Sequence, residues 1–239
     1  MISFIVPAHN EAILIGRTLK AIEESARQVG DSHEIIVVDD ASNDDTRQVA
    51  LRHGAQVLSV DFRRIAATRN AGGRASIGEF LFFVDADTVV TAPAVRAALR
   101  ALRNGAVGGG ATVRFDGPVP LYAAVLERIV LPVLLPLLQI VPGCFMFCTR
   151  RAYFAAGGFD EELAWSEEVR FARRLQRQGR FVLLRERVFT SGRKLRVHTA
   201  LSLAGVAARL ALRRGSGLDY WYGSRHATEP DLPHGLGGS

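Results

Sequence analysis

The chain has 239 residues, 48% of them hydrophobic and 23% charged, a balance that supplies one sizeable buried core and excludes a disordered or fibrous protein. Its 30 Lys and Arg exceed 24 Asp and Glu, giving a net charge of +6 and an isoelectric point near 10.0, which favours phosphorylated small molecules or an anionic membrane surface as partners. Few aromatics interleave with the basic residues and no RNA- or DNA-binding motif is present, which argues against nucleic acid.

The opening MISFIVPAHNE has no basic stretch and no cleavage site, and its apolar part is too short for a signal peptide. The expected location is the cytoplasm, including the inner face of the membrane. Four apolar runs, Ile2–Val6, Glu34–Val38, Val57–Val60 and Phe80–Val84, alternate with helix-like segments and predict a parallel sheet. The first helix is expected to start after a capping Asn10 and to run through Ile13, Leu14, Leu19 and Ile22 towards Gly30. The second is expected from the short polar residues Ser42–Asp45 to about His53. Both connecting loops then lie at the carboxyl ends of strands, where open α/β sheets bind ligands.

A further helix is predicted at Pro93–Asn104, after which GAVGGGATVRF ends the regular alternation. Ile129–Thr149 is uncharged for 21 residues, long enough to cross a bilayer, but Pro132, Pro136 and Pro142-Gly143 divide it into a broken helix and a strand over Cys144–Cys148. Along such a strand the two cysteines stand about 13 Å apart, so no disulfide is expected between them. Glu167-Glu168 opens an amphipathic helix whose Val169, Phe171 and Leu175 are expected to face inward. Thr199–Arg214 places apolar residues at helical spacing beside several arginines, which fits either a helix lying on a membrane surface or a terminal helix packed on the domain. The organisation expected is one α/β domain over 1–222, with a nucleotide-binding-like first half at 1–91 that carries the strand-end loops, a second half at 92–198 and a terminal helix region at 199–222, followed by a loose tail at 223–239.

The chemistry gathers at strand ends. Asp85-Ala86-Asp87 follows the run EFLFFV and offers two carboxylates to a hard cation such as Mg²⁺ or Mn²⁺, which would offset charge on a diphosphate. Asp39-Asp40 closes EIIVV and Glu11 follows FIVPAHN, so three strands deliver acids to one edge. Asp39 and Asp40 are also suited to capping a helix.

In order along the chain, VPAHNE (6–11), VVDDAS (37–42), ATRNAG (67–72), FVDADT (83–88), GGFDE (157–161) and SEEVRF (166–171) resemble the motifs of family 2 glycosyltransferases of the GT-A fold, over about residues 2–195. The resemblance implies a mostly parallel, Rossmann-like sheet flanked by helices, and an inverting enzyme that moves a sugar from a nucleoside diphosphate donor with the help of a divalent cation. It implies that Pro7, Ala8 and Glu11 border the nucleoside, that Asp40 hydrogen-bonds the base and that Asp39 is a structural partner. Arg69 and Asn70 would hold the base or diphosphate. Asp85 would face ribose and metal, and Asp87, beyond Ala86, metal and diphosphate. The family's acidic pair is commonly Glu-Asp, with the second acid deprotonating the acceptor; here Glu168 takes that place and Glu167 is the alternative. Gly158 lets backbone approach a sugar, with Asp160 or Glu161 available to its hydroxyls. Arg193 and Lys194 are suited to clamp the diphosphate, and His198 is a candidate third metal ligand beside Asp85 and Asp87. The apolar Leu121–Ile140 is compatible with a lipid-linked acceptor or a membrane-tethered assembly line, and also with a buried interface. A nucleotidyltransferase and a non-catalytic nucleotide-sugar-binding or membrane-scaffold protein are the alternatives; VPAHNE lacks the Gly-rich basic first loop usual in the former.

Overall fold

A computed structural model describes residues 1–116, 141–163 and 167–192. Strands β1 (Ile2–Ala8), β2 (His33–Asp40), β3 (Gln56–Val60) and β4 (Phe80–Val84) alternate with helices α1 (Ile15–Val29), α2 (Thr46–Arg52) and α3 (Ile65–Ala75). A short β5 (Thr88–Val89), α4 (Ala92–Arg103), β6 (Gly108–Asp116), β7 (Phe145–Thr149), α5 (Arg150–Ala155), α6 (Glu167–Gln176) and β8 (Phe181–Ser191) complete the described chain. All eight strands form one sheet in the order β3-β2-β1-β4-β7-β6-β8-β5.

Every residue of β1 and of β4 is buried, as expected of central strands covered on both faces. Strand alternation then divides the core. On one face Phe4, Phe82, Phe145 and Phe147 stack beneath α1 and α4; on the other Ile5, Leu81, Phe83, Met146 and Tyr153 pack with Phe159, Phe171 and Leu175 of the second half. β1 through β4 are mutually parallel, whereas β7 runs antiparallel to both β4 and β6. The regular alternation read from the sequence stops before that reversal, at β6.

Several boundaries differ from expectation. α1 begins at Ile15, because Asn10 does not cap it; Asn10 takes a left-handed φ of 52° and its Oδ1 accepts from Asn43 N–H at 2.9 Å, tying two loops together. Ile13 consequently points outward, 69% exposed. At the start of α2 the carboxylate that accepts from Thr46 N–H is Asp44, at 2.9 Å. β7 begins one residue after Cys144, and both cysteines are free. In α6, Phe171 and Leu175 are buried and Val169 only half-buried. Most of Ile129–Thr149, all of Thr199–Arg214 and the tail at 223–239 lie outside the described residues, among which no helix is long and apolar enough to cross a membrane.

Candidate active site

The carboxyl ends of β1, β2 and β4 do share one edge of the sheet, and the second half of the chain closes over it. The centre is Arg69, which α3 carries into the protein at 2% exposure. Its Nη1 donates to Glu167 Oε1 at 2.8 Å, and its Nη2 to Asp85 Oδ1 at 2.9 Å and to the Gly143 carbonyl at 3.3 Å. The guanidinium also lies 5.3 Å from the Phe159 ring centre, within cation–π range. Burial works against its charge, but the Asp85 and Glu167 carboxylates outweigh that and hold its pKa above the ordinary arginine range.

Glu167 and Glu168 open α6, where acids suit the helix dipole, yet their settings differ. Glu167 is buried and paired with Arg69. Glu168 has its pKa pushed up to about 8, first by burial and then by the neighbouring Glu167 carboxylate, against which Arg69 only partly compensates. A Cβ on Gly143 would stand 3.1 Å from Glu168 Cγ, so the glycine leaves the space in which this side chain lies.

Asp85 and Asp87 flank the turn after β4. Asp85 N–H donates to the Cys144 carbonyl at 3.0 Å and Thr88 N–H to the Asp85 carbonyl at 3.0 Å, which fixes the turn against the start of β7. Ala86 is buried, its carbonyl accepting from Thr18 Oγ1 at 2.8 Å, so it contributes position and no side-chain chemistry. Asp87 Oδ1 accepts from Thr190 Oγ1 at 3.3 Å and its carbonyl from Ser191 N–H at 3.2 Å. Among the described residues no cluster of three or more His, Cys, Asp or Glu could hold a metal alone. Two half-buried carboxylates, one still offering an oxygen beside its arginine, instead fit a hard cation that takes its remaining ligands from phosphates and water. Cys144, whose carbonyl accepts from Asp85 N–H, is kept a thiol by burial and then by both aspartates.

Other expected donor residues are arranged differently. Asp40 does not present a free carboxylate to a base: Oδ1 accepts from Phe62 and Arg63 N–H at 2.7 and 3.0 Å, and Oδ2 from Thr68 Oγ1 at 2.8 Å. Among the described residues, the buried side-chain oxygen without a hydrogen-bond partner is Asp39 Oδ1. Adjacent strand residues face opposite sides, and Asp40 is the one turned towards α3. Pro7 and Ala8 end β1 and are buried; Glu11 is buried, its N–H donating to Thr46 Oγ1 at 2.7 Å. Sequence reasoning overlooked His9, whose Nδ1 lies 2.6 Å from the Asp40 carbonyl, which marks that nitrogen as the protonated one.

Asn70 is likewise engaged by protein groups. Its amide donates to Phe159 O and Glu161 Oε1, each at 2.8 Å, while its oxygen accepts from Phe159 N–H at 2.9 Å and Tyr153 OH at 3.0 Å. Gly158 serves this clasp: its φ is +69° and a Cβ would fall 2.6 Å from Asn70 Oδ1. Asp160 is paired with Arg170 at 2.8 Å and Arg174 at 3.0 Å, and Glu161 with Asn70 and Arg74, so all three expected acceptor residues fasten the GGFDE turn to α3 and α6. Arg193, Lys194 and His198 lie outside the described residues.

Residues 3–154 match the family model described as glycosyl transferase family 2. Over 93 residues the chain is 33% identical to 4,4'-diaponeurosporenoate glycosyltransferase of Staphylococcus haemolyticus, covering 36% of this chain and 24% of that one. Over 94 residues it is 30% identical to undecaprenyl-phosphate 4-deoxy-4-formamido-L-arabinose transferase of Pseudomonas fluorescens, covering 36% and 27%. The matched stretches thus span about a quarter of these relatives' length. In three dimensions the chain superposes on the mannosyltransferase PcManGT of Pyrobaculum calidifontis, solved with GDP-Man and Mn²⁺, with a TM-score of 0.64 at 22% identity over 94% of this chain and 68% of that one. This likeness establishes the fold.

Proposed function

The chain belongs to glycosyl transferase family 2 and has the GT-A fold, and on that premise we propose that it moves a sugar from a nucleoside diphosphate donor to an acceptor hydroxyl by a single inverting displacement, with Glu168 as general base. The carrying observation is the asymmetry of the acidic pair: Arg69 takes Glu167, while Glu168 has the proton affinity raised to about 8, near the range in which a base works best at neutral pH. Glu168 takes the acceptor's hydroxyl proton as that oxygen bonds to the anomeric carbon; the bond from that carbon to the diphosphate oxygen breaks, and the nucleoside diphosphate leaves with the electron pair. One carboxylate for the proton, with no covalent intermediate, is what inversion needs.

Asp85 and Asp87 would hold the divalent cation, Mg²⁺ or Mn²⁺, whose chemistry when bound is to offset charge on the leaving diphosphate. His198 would be a third ligand and Arg193 and Lys194 the clamp on the phosphates. Pro7, Ala8 and Glu11 border the nucleoside, and the unpartnered Asp39 oxygen makes Asp39 the better candidate for the base edge. The family relative that acts on an undecaprenyl phosphate, the apolar Leu121–Ile140 and the basic Thr199–Arg214 support a lipid-linked acceptor approached at a membrane surface. The test is calorimetry and thermal shift with UDP- and GDP-sugars, with and without Mn²⁺, since a ligand of useful affinity raises stability by mass action. Binding and slow hydrolysis of one donor are expected; a protein that binds none would overturn the reading, and one that binds but never cleaves would be the scaffold alternative.

A further inference from the structure

In the motif ATRNAG, Arg69 reads as a hand for the donor, but its surroundings leave no place for that task. The side chain is 3% exposed, both terminal nitrogens are engaged, and Phe159 covers the guanidinium at 5.3 Å. A donor phosphate could reach it only by displacing a buried carboxylate, which would then lie unpaired in a low-dielectric site. What converges on Arg69 is protein: Asp85 from the turn after β4, Gly143 from the turn before β7, and Glu167 from the first turn of α6.

We propose that Arg69 is a positioning residue, which pins the base-bearing end of α6 to the donor-side turn so that Glu168 faces a sugar held at Asp85 and Asp87; this rests on the assignment of base and donor edge given above. The planar guanidinium is suited to the task because its terminal nitrogens point in fixed directions, Nη1 towards α6 and Nη2 towards the two turns at Asp85 and Gly143, while Nε is buried without a partner. A lysine ammonium is a point charge on a flexible stem and reaches one carboxylate at a time. Asp85 and Glu167 belong to segments far apart in sequence, and their like charges repel unless a cation stands between them. The link from Arg69 to Glu168 is also short: Glu167 is its covalent neighbour, and Gly143, whose carbonyl Arg69 holds, is packed against the Glu168 side chain.

The test compares R69K, E167A, E167Q and R69K/E167A with the wild type. UDP-N-acetylglucosamine and GDP-mannose, each with Mn²⁺, serve as probes for donor hydrolysis and nucleotide affinity. A positioning role predicts that R69K and E167A lower turnover of bound donor about 10- to 100-fold, the order that a displacement of up to about 1 Å costs, while nucleotide Kd changes by less than about threefold. E167Q, whose amide oxygen still accepts from Nη1, recovers most of what E167A loses. The double variant is no slower than the worse single one, because the two residues act as a unit. Nucleotide affinity that falls with turnover of bound donor intact, or losses that multiply, would overturn the proposal. Hydrogen exchange of the ligand-free protein gives an independent readout: peptides over 167–176 are expected to exchange faster in R69K and E167A while those over 2–8 do not change, and unaltered exchange at 167–176 overturns the tether. A wild-type protein that neither binds nor cleaves a donor defeats the donor reading alone, and exchange still decides whether Arg69 holds α6.

Discussion

Replacing Gly143 with alanine tests how finely the proposed base is placed. The added Cβ would sit 3.1 Å from Glu168 Cγ and 3.4 Å from its Cβ and Cδ, about 0.3 Å inside ordinary contact at the closest atom. Gly143 does not occupy the left-handed region, so alanine brings no backbone strain there and, by restricting the unfolded chain, contributes about 0.4–1 kcal/mol of stability that offsets local crowding. The contact is relieved by swinging Glu168, and a carboxylate displaced by a few tenths of an ångström at the end of its arm costs about four- to tenfold in rate, scaling from about 100-fold for 1 Å. Donor hydrolysis at saturation, donor affinity by calorimetry and the melting temperature separate the effects. Turnover should fall by that factor with affinity unchanged and melting within a few degrees of wild type. Undiminished turnover, or turnover and affinity falling together, would refute the placement of Glu168 against Gly143.

Because burial and Glu167 raise the pKa of Glu168 to about 8, the base is protonated below that pH, and turnover should climb through neutrality to a plateau above it. The same shift means that the folded state keeps a proton the unfolded chain releases above 4.5, so this group's stabilising contribution is lost as pH rises from 4.5 through 8; urea melts should show E168Q removing that part of the dependence. E168Q should also lower turnover about 10²–10⁴-fold with donor affinity retained, and a fully active E168Q would end the mechanism. D87A or excess chelator should weaken donor binding measured by calorimetry, and equal affinity in chelator would argue against the cation. N70A leaves Phe159 N–H buried without its acceptor, at about 1–3 kcal/mol, and leaves Tyr153 OH only the longer bond to the Asn70 carbonyl at 3.4 Å, so it should lower the melting temperature while the folded fraction binds donor normally.

The sheet was legible because buried parallel strands write themselves as apolar runs; Phe80–Val84 matches β4 from end to end. The acids at strand ends were legible for the same reason. What adjacent letters do not reveal is the face each occupies. Asp39 and Asp40 are adjacent letters, yet it is Asp40 whose carboxylate meets Thr68 and the Phe62–Arg63 amides. Arg69 and Asn70 stand side by side, yet their partners lie 98 and 89 residues along the chain, separations that no local pattern encodes. Gly143 reads in the sequence as a helix breaker, and its service to Glu168 becomes visible only when α6 is packed beside it.

The reversed strand β7 bears on how the enzyme comes into being. Running against β4, it brings the residues that precede it, Gly143 and Cys144, to the edge where β4 ends; a parallel β7 would leave them about a strand length away, roughly 17 Å. The candidate site is therefore a seam between an early-closing half, built from neighbouring β-α-β units, and a half whose contacts span nearly a hundred residues. Such long loops must be closed before their contacts repay the lost entropy, so competence for catalysis should be the last property the chain gains as it folds and the first it loses in mild denaturant, while β1 to β4 still hold together.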